Sequence, residues 1–140
     1  MKLEVDIQNK LTHGISLNGI KELAGLIWYE EAKCDGEILI ILVDDDDLVK
    51  LNRQFLNRDY KTDVIAFPLS DESDTKFEGE IYISIDRVKE NAHSFNVTPD
   101  EELKRVVAHG LLHFIGYSDS NEINKKKMHE REDYYLNKTR

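Results

Sequence analysis

One cysteine, two prolines and one tryptophan among 140 residues leave this chain little that is rigid or oxidisable. The lone Cys34 excludes an internal disulfide, suits a reducing compartment and is expected to serve as a small buried hydrophobe. No apolar run approaches the ~20 residues that a bilayer span requires, so no membrane partner is expected. Residues 1–10 alternate charged and apolar side chains and lack the apolar stretch of a signal peptide, so the expected location is cytoplasmic. Positive charge is also short. Nineteen Lys and Arg stand against 28 Asp and Glu, a net charge of −9 that argues against non-specific grip on a nucleic-acid backbone. Arg53, Arg58 and Lys61, and again Lys125, Lys126 and Lys127, are close enough in sequence to permit one local basic groove. Internal repeats and linkers rich in Pro, Gly or Ser are absent, so residues 1–140 are expected to form a single domain with a real core.

What is present is a regular alternation of short strands and helices. Leu3, Val5 and Ile7 alternate with Glu4, Asp6 and Gln8, the period of a half-buried strand. Ser16 is the expected cap of a helix reaching Ala32, with Ile20, Leu23, Ala24 and Ile27 as its buried stripe. Residues 38–43 are continuously apolar, which fits a strand covered on both faces. The four aspartates at 44–47 acidify the start of the next helix, whose apolar side carries Leu48, Leu51 and Phe55. They lack the spaced oxygen ligands and central glycine of a calcium loop. A strand over 62–67 is halted by Pro68, a polar loop covers 70–76, and 80–85 resumes alternation. Helices follow from about Asp86, from Thr98 with Pro99 in its first turn and Glu101 completing a capping box, and from Asn121 to Leu136. Tyr134 and Tyr135 are expected to dock that last helix. The fold class is α+β, with a small mixed sheet of about four strands packed with helices.

The chemistry concentrates between residues 109 and 119, HGLLHFIGYSD. His109 and His113 are one helical turn apart and share a face. Leu103, Val106, Val107, Gly110, Leu111 and Phe114 form the adjoining apolar face, so the imidazoles sit at its edge. Two histidines at that spacing fit a packed helix edge as well as a metal site. The sequel favours metal: Gly116 can end the helix, and the next three residues allow Asp119 to fold back. Two nitrogens and one carboxylate oxygen are a set that leaves zinc one open position, the pattern of a metal-dependent hydrolase. Gly110 stands where HExxH peptidases carry their glutamate base, which argues against peptide hydrolysis by that route. A mid-helix glycine costs about 0.8–1.0 kcal/mol relative to alanine, which suggests close approach of a neighbouring strand.

The same residues resemble the YbeY family of rRNA maturation endoribonucleases. The family motif H-G-x-L-H-x-x-G-Y-x-H is matched at His109, Gly110, Leu112, His113, Gly116 and Tyr117. Leu51-Asn52, Asp59, Thr62-Asp63-Val64, Phe67-Pro68 and Gly79-Glu80-Ile81 resemble two further blocks, so the likeness runs along nearly the whole chain in order. The resemblance implies a zincin-like fold and one Zn²⁺ per chain. It implies hydrolysis of single-stranded RNA in 16S rRNA 3′-end maturation and ribosome quality control. Its partners would be the 16S rRNA precursor and components of the small ribosomal subunit, with no DNA.

Three positions depart from the family. Asp119 replaces the third histidine, Leu56 stands where the family has an arginine important for activity, and Lys61 replaces a proline. A carboxylate ligand makes the ion a weaker Lewis acid and widens acceptance toward Mn²⁺ or Fe²⁺. Arg58 is the nearest substitute for the missing arginine as a forked phosphate donor, against the alternative of a solvated surface side chain. Glu80 is a candidate for orienting water or a histidine, against the alternative of a strand residue facing solvent. His129 is the next residue to consider should Asp119 not serve as a ligand. Two other functions stay open: a non-catalytic ribosome-assembly factor with a structural metal, and a metal-dependent hydrolase of another bond.

Overall fold

The elements follow the hydrophobic periods closely in this computed structural model, which describes residues 1–9, 14–56, 62–71 and 74–139. In chain order they are β1 (Leu3–Asn9), α1 (Ile20–Glu31), β2 (Asp35–Val43), α2 (Asp45–Leu56), β3 (Val64–Pro68), β4 (Lys76–Ser84), α3 (Ile85–Phe95), α4 (Pro99–Ile115) and α5 (Glu122–Lys138). The sheet order is β1-β2-β4-β3. β1, β2 and β4 are mutually parallel, and β3 lies antiparallel against β4 at one edge. This is a mixed four-stranded sheet with five helices, the α+β arrangement expected from the sequence.

Alternation along the strands gives the sheet two different faces. Ile38, Ile40, Leu42, Ile81 and Ile83 join the main core with residues of α1, α3, α4 and α5. Leu103, Val106, Val107, Leu111 and Leu112 are the contribution of α4, which crosses this face next to β3 and β4. Gly110 lets helix and strand approach closely: a Cβ there would stand 3.1 Å from Ile81 Cδ1. The opposite face carries a smaller cluster of Ile41, Val43, Leu48 and Ile65 beneath α2. β2 is therefore buried on both sides only toward its C-terminal end, and alternates before that.

Several boundaries differ from the sequence expectation for local reasons. The N-cap of α1 is Gly19, at φ 82°, and not Ser16. Ser16 instead ties the preceding loop to α4, its N–H donating to Asp100 Oδ1 at 3.0 Å, while its hydroxyl accepts from Asn18 N. Ladder pairing extends β2 back to Asp35 and β4 back to Lys76, into segments without an apolar period. Cys34 is only half-buried, in the turn after α1, where its carbonyl accepts from Trp28 Nε1. The Thr98 cap forms as expected, its hydroxyl accepting from Glu101 N at 3.1 Å with Pro99 following. Asn121 caps α5 by accepting from Asn124 N.

Candidate metal centre

α4 ends where the sequence says it should. Gly116 adopts φ 119°, and the N–H groups of Gly116 and Tyr117 bond back to Leu112 O. This left-handed turn closes the helix and sends the chain back across its own last turn. Tyr117 then anchors the loop, its hydroxyl donating to Glu31 Oε1 at 2.9 Å. The same Glu31 carboxylate accepts from Arg131 at 2.7 Å and from the Tyr135 hydroxyl. Burial alone would raise the Glu31 pKa, but these three donors outweigh it and hold the carboxyl below its ordinary value.

With the loop pinned, Asp119 faces both imidazoles. Its Oδ2 lies 3.5 Å from His109 Nε2, and its Oδ1 lies 3.7 Å from His113 Nε2. The two rings have centroids 5.0 Å apart. One ligand atom from each of the three residues falls within 4.8 Å of the others. These separations are too long for direct hydrogen bonds. They are close to the roughly 3.4 Å that separates ligand atoms held about 2.0–2.1 Å from a tetrahedral ion. The donor set therefore fits a divalent cation.

A second layer of side chains orients the first. His109 Nδ1 donates to Glu132 Oε2 at 2.8 Å, which leaves Nε2 with its lone pair toward Asp119. Glu132 is buried, and its other oxygen accepts from Arg105 Nη1 at 3.0 Å. Arg105 in turn donates from Nη2 to Asp133 at 2.6 Å. Burial lowers the His109 pKa, but Glu132, then Asp119 and Asp63, act more strongly in the other direction, and the net shift is upward. His113 is shifted downward, by burial first and then by the neighbouring His109. Asp63, just ahead of β3, is raised by burial despite its attraction to His109. Glu102, on the inner side of α4, is pushed up to about 7 by burial and by the charge of Asp63.

A cleft of about 680 Å³ opens in front of these three side chains. Asn52 and Leu56 of α2, Thr62 and Asp63, and the inward side chains of β3 form one wall, and α4 forms the other. The candidate residues thus separate. His109, His113 and Asp119 converge, whereas Glu80 points the other way. Glu80 pairs across the sheet with Leu39 and Phe67, and its Oε1 accepts from Tyr82 at 3.3 Å on the face opposite α4. Alternation on β4 explains this, because Gly79 and Ile81 take the α4 side. Arg58 and Lys61 lie outside the described residues. His129 is outside the cluster, with Nδ1 3.7 Å from Glu132 and Nε2 3.7 Å from Asp133.

Glu132, Glu102 and Glu31 carry no signal in a motif, and Asp63 stands in the sequence only within the resembling block Thr62-Asp63-Val64. Two of them left a trace. Glu132 occupies a place in the stripe Met128, Glu132, Tyr135, Leu136, all buried on α5. Glu102 likewise falls among the buried positions of α4. A charged residue on an apolar stripe is the readable sign of a buried polar contact.

The description Endoribonuclease YbeY belongs to the family model that matches residues 6–140. An Endoribonuclease YbeY from Flavobacterium psychrophilum is 49% identical over 106 residues, 76% of this chain and 74% of that protein. One from Chlorobium phaeobacteroides is 34% identical over 136 residues, covering 97% of this chain and 94% of its own. Among solved structures, the solution structure of TM1509 from Thermotoga maritima superposes with a TM-score of 0.68 at 36% identity. That match covers 96% of this chain and 88% of TM1509.

Proposed function

Because this chain belongs to the endoribonuclease YbeY family, we propose that it is a metal-dependent endoribonuclease that hydrolyses phosphodiester bonds of single-stranded RNA. The observation that carries the reading is the convergence of His109, His113 and Asp119 on one ion-sized space at the floor of an open cleft. We assign these three as the ligands of one divalent ion, Zn²⁺ in the first instance. The finer role in 16S rRNA 3′-end maturation, with small-subunit components as partners and a cytoplasmic location, belongs to the same proposal. No helix among the described residues is long and apolar enough to cross a membrane.

When bound, such an ion supplies Lewis acidity toward a phosphoryl oxygen and makes a water easier to deprotonate. The rest follows from the chain's own side chains. Glu132 fixes the ring of His109, so that its Nε2 presents a lone pair without rotating. The Tyr117–Glu31 bond holds the loop and with it Asp119. Asn52, Thr62 and Asp63 offer polar atoms along the cleft wall. Arg58 is proposed as the guanidinium fork on the phosphate in place of the family arginine, where this chain has Leu56. No role in the cleft is assigned to Glu80, since its side chain is across the sheet.

The test is cleavage of a single-stranded RNA oligomer by the purified chain, with and without chelator. Metal-dependent cleavage that disappears in His113→Ala, prepared identically to exclude contaminating nuclease, is the expected result. Cleavage that survives both chelation and His113→Ala would contradict the proposal.

A further inference from the structure

The cleft continues past the ligands, and the sheet register fixes its direction. Gly110 lies over Ile81, and Phe114 lies over Gly79, so α4 runs antiparallel to β4. β3 is antiparallel to β4 too, with Val64 opposite Ile83 and Pro68 opposite Gly79. α4 and β3 therefore run side by side, and the wall behind His113 changes character toward their C-terminal ends. There it is made by Ala66, Pro68, Phe77 and Phe114. The two phenyl rings have centroids 4.8 Å apart and are half-buried. Gly79 makes this floor possible, because a Cβ would come within 2.8 Å of Phe114 Cζ and 2.9 Å of Phe77 Cε2.

The rim of this apolar end is polar. Ser84 N donates to Asp63 O at 2.9 Å, and Leu69 N donates to Glu78 O at 2.8 Å. In an antiparallel pair this parity makes 63, 65, 67 and 69 the residues that bond to β4. Val64 and Ala66 then turn their N–H and C=O groups to the outer side, where β3 has no neighbouring strand among the described residues. Thr62 Oγ1 donates to Val64 O at 3.4 Å, and Ala66 is among the residues that line the cleft.

We propose that this end of the cleft is a nucleobase subsite, in which the base next to the scissile phosphate lies on Phe114 and Pro68 and its edge bonds to the outward peptide groups of Ala66. The inference rests on the RNA reading above. A single occupant satisfies the three features together. It must be apolar on its faces, bear donors and acceptors on its edge, and be tethered to an anion at the three ligands one residue away. An aliphatic group would leave the rim peptides without partners, and a free anion would not use the rings. The exposed face of a base fits both.

The test uses the metal-loaded full chain and a single-stranded RNA oligomer with one abasic nucleotide placed at each position in turn. Cleavage is read as kcat/KM on the loaded chain, and binding is read on the same oligomers after chelation, when cleavage is not expected. One position flanking the cut is expected to cost roughly 5- to 100-fold in affinity when its base is removed, the range for one stacked base. Phe114→Ala should lose a similar factor on the intact oligomer and become indifferent to that abasic position. Phe114→Leu, which keeps apolar contact with Phe77, guards against a folding defect and should discriminate partly. Ala66→Pro removes the outward N–H without removing a ladder bond, and should change which base is preferred. Indifference of the parent chain to every abasic position overturns the subsite while metal-dependent cleavage leaves the ribonuclease standing. Full discrimination by Phe114→Ala also overturns it, and absence of RNA binding overturns both.

Discussion

His109 and Glu132 meet at 2.8 Å although one belongs to α4, the helix that carries both histidines of the cluster, and the other to the last helix, 23 residues later. A carboxylate can only accept from the imidazole here, so the bond selects the tautomer with hydrogen on Nδ1 and frees Nε2. Arg105 closes the far side of the same carboxylate. α5 is therefore part of the candidate metal centre through Glu132.

From this relationship Glu132→Ala is expected to weaken metal affinity about 10- to 100-fold, the usual effect of losing such a partner. Glu132→Gln keeps an acceptor oxygen and should lose less. Competition against a chromophoric chelator reads the affinity directly, and circular dichroism checks that α5 remains folded. Equal affinity in parent and alanine variant would remove Glu132 from the centre.

Glu31 is the tie between the ligand-bearing loop and the α1–α5 contact. Replacing it with alanine leaves Tyr117, Arg131 and Tyr135 without their shared acceptor and is expected to cost about 1.5–3 kcal/mol in denaturant unfolding. Its pKa is depressed in the folded chain, so the contribution is present above the ordinary carboxylate range and fades as pH falls through the folded value. Glu31→Ala should accordingly be less costly in acid than at neutral pH.

Glu102 works in the opposite sense. Buried at 4% exposure and raised from 4.5 to about 7, it stays protonated in the fold at pH values where the unfolded chain has already ionised. Stability should then decline as pH rises from about 4.5 to 7 and level off above, by about 3 kcal/mol on the basis of 1.36 kcal/mol per unit. Glu102→Gln removes that decline, matching the parent near pH 4.5 and exceeding it at pH 8. Unfolding curves at the two pH values decide it, and a Gln variant that is less stable at pH 8 would contradict the burial argument.

The parts of the fold that were legible from the sequence are those set by local rules. The Thr98–Pro99 start, the Gly116 stop, and the inward stripe of α4 each depend on residues within one or two turns. The closeness of His109, His113 and Asp119 was legible for the same reason, since Asp119 follows the helix by only a few residues. What was hidden depends on approach between distant segments. Glu132 bonds to His109 from the last helix, and the charge of Asp63 acts on it from just ahead of β3, and no period in either segment encodes that meeting. For Glu80 the alternation of β4 left both readings open, a residue of the site or a strand residue facing away, and only the packing of α4 onto Gly79 and Ile81 shows which parity faces the cleft. The cap of α1 moved from Ser16 to Gly19 because Ser16 is held by Asp100, 84 residues away.

The most direct test is the first coordination shell of the zinc-loaded chain, seen by crystallography or X-ray absorption, with bound metal counted per chain. One ion is expected, held by His109 Nε2, His113 Nε2 and an Asp119 oxygen, with a remaining position free of protein and both occupancy and affinity reduced in Asp119→Ala. An ion bound elsewhere, a fourth protein ligand closing the site, or unchanged stoichiometry and affinity in Asp119→Ala would contradict it.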